Sequence, residues 1–245
     1  MTARLITIPF SHYCEKARWA LEVAGIAFEE EGHLPMFHYQ ATLRAGAGRT
    51  VPALIHDGKV IPDSTPIVAY ADGLRPGSLY PTDPARRDEA LAVEDELDRH
   101  LGPATRRWSY FHLLDRKDLD QVILQDVPRW EAIAFKAARP VALALIKRGL
   151  KVDAAGAERS RAKIDEAFSA VGAQLGDGRR YLIGDHFTVA DLTFASLAAP
   201  ILLPAQYGGS LPSLDVYPSA ARAQIETWRR SPPGQFGLRI YAEHR

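Results

Sequence analysis

The chain has 245 residues, 47% of them hydrophobic and 24% charged, with 30 basic and 30 acidic side chains. Those proportions describe an ordinary globular protein of one large or two small domains, and the charge balance argues against a polyanionic partner such as a nucleic acid. The single cysteine rules out an intramolecular disulfide and suits a reducing, cytoplasmic compartment.

The first ten residues, MTARLITIPF, lack the basic stretch and long apolar core of a secretory signal. Residues 4–8 are β-rich and stop at Pro9. From 13 to 25 the period becomes helical: Tyr13, Ala17, Ala20, Leu21 and Ala24 share a face, and Gly25 is a natural stop. A second strand at 27–31 completes a β-α-β unit. After a loop with Pro35 comes a short helix near 38–43. VPALIH, then Asp57-Gly58, then KVI reads as a hairpin, since Asp-Gly supplies the positive φ angles of a tight turn. In DSTPIVAYAD, Ser64 or Thr65 can cap a helix whose first turn tolerates Pro66.

Residues 74–84, LRPGSLYPTDP, break the pattern and read as a linker between domains at 1–73 and 85–245. Beyond it the periodicity is helical, with helices near 85–110, 119–147, 155–175, 189–203 and 219–230. The apolar run at 140–146 is too short to span a bilayer, so no membrane association is expected. An α/β half followed by an all-α half therefore defines the expected fold class.

Four stretches can carry chemistry. Ser11 and Cys14 open the first helix in a Ser-x-x-Cys arrangement, so a dithiol cycle within one chain is impossible. Val51-Pro52 opens a strand, and Asp63-Ser64 opens a helix. In YLIGDHFTVADLTFA, Thr188 and Asp191 form a capping box flanked by Phe187 and Leu192 as a hydrophobic staple, a folding element. The eight histidines show no metal-ligand spacing, so no metal is expected.

Taken in this order, these stretches resemble the cytosolic glutathione transferase superfamily over almost the whole chain. The resemblance implies a thioredoxin-like, glutathione-binding domain, an all-helical C-terminal domain and a homodimer. It places Ser11 at the glutathione sulfur, where a helix N-terminus and a hydroxyl stabilise a thiolate. Pro52 is then cis, Val51 offers its backbone to the cysteinyl part of glutathione, and Thr50 or Arg49 reaches the glycine carboxylate. Asp63 and Ser64 take the γ-glutamyl end. A small apolar electrophile is expected to lie among Phe10, His12, Tyr13, Trp108, Phe111 and His112, because the run RRWSYFHLL suits an apolar pocket. His12 reads as a polar surface residue or a proton donor. Arg18 reads as an electrostatic helper of the site or as an exposed or interface residue. The implied activity is transfer of glutathione to that electrophile. Two rival readings are glutathione-dependent disulfide reduction through Cys14 and a non-catalytic binding or scaffold role. Burial is the commoner state of a free cysteine.

Overall fold

A computed structural model describes residues 2–245. Strands β1 (Ala3–Thr7), β2 (Phe28–Gly32), β3 (Ala53–His56) and β4 (Lys59–Pro62) form one sheet in the order β2-β1-β3-β4. β1 runs parallel to β2 and antiparallel to β3, which pairs antiparallel with β4. A parallel pair needs a crossover, and α1 (His12–Val23) supplies it. β3 and β4 meet at Asp57 and Gly58, with φ of 49° and 74°, the turn that Asp-Gly predicts.

The period of two sorts the strand residues to opposite faces. Leu5 and Leu54, paired across β1 and β3, join the main core; Ile6 and Ala53, the next pair, join a smaller cluster with Ala41 of α2 (His38–Arg44). On the main-core face, α1 packs against α3 (Ser64–Leu74).

The helical half begins with α4 (Pro84–Leu113), which packs against α7 (Ala154–Leu175) and α8 (Val189–Leu202). Every residue of α8 is buried, as befits a helix apolar on all sides. Because α1 also lies against α8, the two halves share one continuous core. Between the halves, Leu79 and Tyr80 are buried, and their N–H groups both donate to Asp72 Oδ1, at 2.9 and 3.0 Å.

Two helical expectations change. The helix expected at 119–147 is broken into α5 (Asp120–Ile123) and α6 (Arg129–Leu150), because Asp126 takes a positive φ of 54° and Pro128, with no N–H, can only precede a helix here. A further helix, α10 (Pro232–His244), follows α9 (Ser219–Arg230) after a single residue. Pro232-Pro233-Gly234 looks like a breaker, but the prolines fill the first two helical positions, where no N–H is needed, and Ser231 caps Gly234. α10 returns the chain to α1: Trp19 Nε1 donates to His244 O at 2.9 Å, and Arg245 pairs with Glu15 at 2.8 Å. Among the described residues, no helix is long and apolar enough to cross a membrane.

Candidate active site

The first turn of α1 sets the site. Ser11 is the N-cap residue, with its N–H on Ile8 O and its carbonyl accepting from Glu15 N–H, both at 2.9 Å. Its hydroxyl makes no capping bond and is within hydrogen-bonding reach of the Cys14 thiol. Ser11, at the positive end of a helix, lines a cavity of about 400 Å³ between the two halves. Thr50 and Val51 form an adjoining wall, and the far wall is apolar, with Leu113, Leu119, Phe135 and Leu143.

The Val51–Pro52 bond is cis. Pro52 O accepts from Asp63 N–H at 2.9 Å, which sets the strand before α3 beside the cavity's edge. Asp63, rather than Ser64 or Thr65, is the N-cap of α3: its Oδ1 accepts from Ser64 N–H at 2.6 Å and from the Ser64 hydroxyl at 3.4 Å. Asp63 holds φ 72° and ψ 154°, a region left almost entirely to glycine, and such strain concentrates at functional turns. It is exposed, whereas Ser64 is buried. Both lie just beyond the cavity lining, which on this side ends at Val51.

Of the six residues expected around the electrophile, Phe10, His12 and Tyr13 line the cavity, and Trp108, Phe111 and His112 do not. Helical periodicity is the reason. The stripe of α4 facing the cavity is Arg106, Ser109, Tyr110 and Leu113; positions 108 and 112 fall on the opposite side. Trp108 is a core residue, 4.9 Å from Trp228 and 4.4 Å from His112 between ring centroids, and Phe111 faces solvent. Tyr110 is the aromatic residue this run contributes to the cavity.

His12 is buried, not a surface residue, and its Nε2 lies 2.9 Å from Gly102 O. Burial and the nearby Arg106 cation push it down to about 3, so the ring is neutral and donates its N–H to that carbonyl. It cannot serve as a proton donor at neutral pH. Tyr13 donates its hydroxyl to Asp98 O at 2.8 Å. This close approach of α1 to α4 depends on Gly102, where any Cβ would collide with the Tyr13 phenol.

Cys14 is fully buried. Burial pushes its thiol up to about 11, against smaller pulls from Arg18, the Ile8 backbone and Ser11. Arg18 is likewise buried, not exposed, and grips Glu30 at 2.6 and 2.8 Å and Pro9 O at 2.9 Å. Lys16, two residues before it, pairs with Glu94 at 2.9 Å and Asp98 at 2.6 Å on α4. Sequence reasoning missed Lys16 and Glu15 altogether, since charged residues on a helix read as a solvated face. It also missed Arg106 and His38. His38 lines the cavity next to Arg49, with Nε2 on Arg49 O at 3.2 Å and Nδ1 buried without a partner; burial lowers its pKa.

Comparison with known families bears on the fold. Residues 5–79 match the glutathione S-transferase N-terminal domain, and residues 154–223 match the glutathione S-transferase C-terminal domain, together more than half of the chain. The chain belongs to the glutathione S-transferase superfamily. Solved transferase folds superpose over nearly the full length. The fungal glutathione transferase GSTFuA3 from Phanerochaete chrysosporium is 16% identical, with a TM-score of 0.64 over 100% of this chain and 98% of its own. Beta-etherase LigF from Sphingobium sp. strain SYK-6 is 20% identical, with a TM-score of 0.61 over 98% and 99%. A glutathione S-transferase-I bound with lactoylglutathione is 17% identical, with a TM-score of 0.58 over 98% and 100%. These identities speak for the thioredoxin-like plus helical transferase fold. No curated protein sequence matches significantly.

Proposed function

We propose that this transferase-family chain conjugates glutathione to an apolar electrophile held in the cavity. The observation that carries the reading is the place of Ser11: its hydroxyl is not used as a cap, the residue sits at the positive end of α1, and it lines a cavity shared with Thr50, Val51 and a largely apolar far side. Glutathione extends from this point. Val51 pairs its backbone with the cysteinyl unit, as an added strand would. Asp63 takes the γ-glutamyl ammonium, and Ser64 with the N-terminus of α3 takes the neighbouring carboxylate. Arg49 and Thr50, with the unpartnered Nδ1 of His38 close by, receive the glycine carboxylate.

Ser11 donates a hydrogen bond to the sulfur and favours the thiolate once the thiol proton has left for solvent. The thiolate attacks an electrophilic carbon lying over it, and the leaving group departs with its electron pair. The gain comes from thiolate stabilisation and from holding both reactants in one cavity. Cys14, buried and with a raised pKa, takes no part, which weighs against disulfide reduction. A homodimer belongs to the same reading, and sedimentation analysis tests it.

Calorimetry with millimolar glutathione should show binding. Titrating the ultraviolet absorbance of the bound complex should give a thiol pKa well below the ~8.5 of free cysteine. Ser11→Ala should raise that pKa and slow conjugation about a hundredfold, the scale of losing one donor to a developing anion, while Cys14→Ser changes neither. An inert Ser11→Ala together with an inactive Cys14→Ser would replace this mechanism by a mixed disulfide at Cys14.

A further inference from the structure

Arg106 stands apart from the other arginines of the interior. Arg18, Arg139 and Arg245 are each bonded to carboxylates, and Arg107, the next residue, donates to Leu150 O at 2.9 Å and Ser160 Oγ at 3.1 Å. Arg106 is half-buried in the cavity wall, and among the described residues its guanidinium makes no hydrogen bond and no ion pair. Its guanidinium carbon lies 6.0 Å from the centroid of the Tyr13 ring.

The cavity contains nothing to balance it. Among the described residues no aspartate or glutamate lines the wall, and burial pushes down the pKa of both histidines there, His12 and His38. A guanidinium stays charged at any physiological pH, and a charge kept in a largely apolar space without a partner is costly. Among the described residues the other arginine on the wall is Arg49, exposed beside Thr50 and Val51, while Asp63 and Ser64 lie outside the lining. With glutathione placed along those residues, both its carboxylates are met and Arg106 is not.

We infer that the second substrate is amphipathic, an apolar electrophile carrying a carboxylate or similar oxyanion that pairs with Arg106; this rests on glutathione lying along Val51 and the Asp63–Ser64 turn. The planar fork of a guanidinium suits two carboxylate oxygens at once. Arg106 and Leu113 are seven residues apart on one stripe of α4, so about 10 Å of helix separates the anion's position from the apolar end. The acceptor's body runs along that length toward Leu113 and Phe135.

The test uses an acid and its neutral ester, chlorodinitrobenzoate and methyl chlorodinitrobenzoate. In each, the glutathione sulfur bonds to the ring carbon, and chloride leaves with the bonding pair. The expected result is that Arg106→Gln lowers kcat/KM for the acid relative to the ester by about 10- to 100-fold, the worth of a charge-assisted hydrogen bond, and that Arg106→Lys restores part of it. An acid-to-ester ratio unmoved by Arg106→Gln overturns the inference. So does an equal fall for both substrates with a raised pKa of bound glutathione, which would place Arg106 on the sulfur instead. A second arm needs no glutathione: fluorescence titration of the full chain with anilinonaphthalene sulfonate and with uncharged phenylnaphthylamine. Selective loss of sulfonate affinity in Arg106→Gln supports the anion site even if neither benzoate turns over, an outcome that would count against the proposed transferase activity alone. Equal affinities in wild type and variant for both dyes overturn the anion site.

Discussion

Helices α3 and α8 both start at a turn organised by an aspartate, and the two turns differ in every other respect. At α8, Asp191 is fully buried and accepts from Leu182 N–H at 2.8 Å, Thr188 N–H at 2.8 Å and the Thr188 hydroxyl at 3.0 Å. All its donors come from the protein, and the helix it starts is the central one of the core. At α3, Asp63 is exposed, sits in a glycine-like conformation and, among the described residues, accepts only from Ser64. One turn is saturated and unstrained. The other is strained, under-satisfied and beside the cavity. An aspartate at a helix start, N-cap at α3 and third helical residue at α8, serves folding when its acceptor sites are filled internally and is open to a ligand when they are not.

The largest effect should come from emptying the saturated turn. Asp191→Ala strands three donors in the core, and leaving buried polar groups unpaired costs about 1–3 kcal/mol each. A loss of about 3 kcal/mol or more should appear in denaturant titration, with conjugation per folded molecule preserved. A variant that melts like wild type but loses turnover would give Asp191 a chemical role and erase the contrast.

The pH dependence of the same residue follows. Burial pushes the Asp191 carboxyl up to about 6, against hydrogen bonds from Leu182 and Thr188. The unfolded chain loses this proton near 3.9. Between those values the folded state binds more protons than the unfolded state, so this group's contribution falls as pH rises from about 4 to about 6, by on the order of 2 kcal/mol. The stability difference between wild type and Asp191→Asn should therefore shift against wild type across that window. A shift in its favour would mean that the three donors outweigh burial and hold the carboxyl below its ordinary range.

At the under-satisfied turn the effect should be on binding. Ser64→Ala should weaken glutathione by about 1.5–3 kcal/mol if its hydroxyl meets a carboxylate, with little change in melting temperature. Unchanged calorimetric affinity would remove Ser64 from the site. The smallest stability effect is expected for Asp63→Gly. Glycine relieves the positive φ and serves tolerably as an N-cap, so stability should move by less than about 1 kcal/mol while glutathione affinity falls. A large destabilisation would make the Asp63 turn as structural as the Asp191 turn.

Local physics was legible in the residue order alone. Alternation at Leu5-Ile6, the Asp57-Gly58 turn, the break at the proline-rich segment after Leu74 and the Thr188–Asp191 cap all depend on residues within a turn or two of one another. So does the placement of Ser11 at the mouth of α1. Which face of α4 meets the cavity was not legible, because Trp108 and Tyr110 are two residues apart and only the packing of α1 and α9 on either side tells their faces apart. Lys16 could not be read as buried, since its partners Glu94 and Asp98 lie some eighty residues later and approach only when α1 docks on α4. Arg106 went unnoticed for the converse reason: a missing partner is a property of a whole cavity, and only the folded chain shows that no carboxylate lines it. Short-range periodicity and turn chemistry thus determined the elements and the position of Ser11 at the start of α1, while long-range docking decided which buried charges are paired.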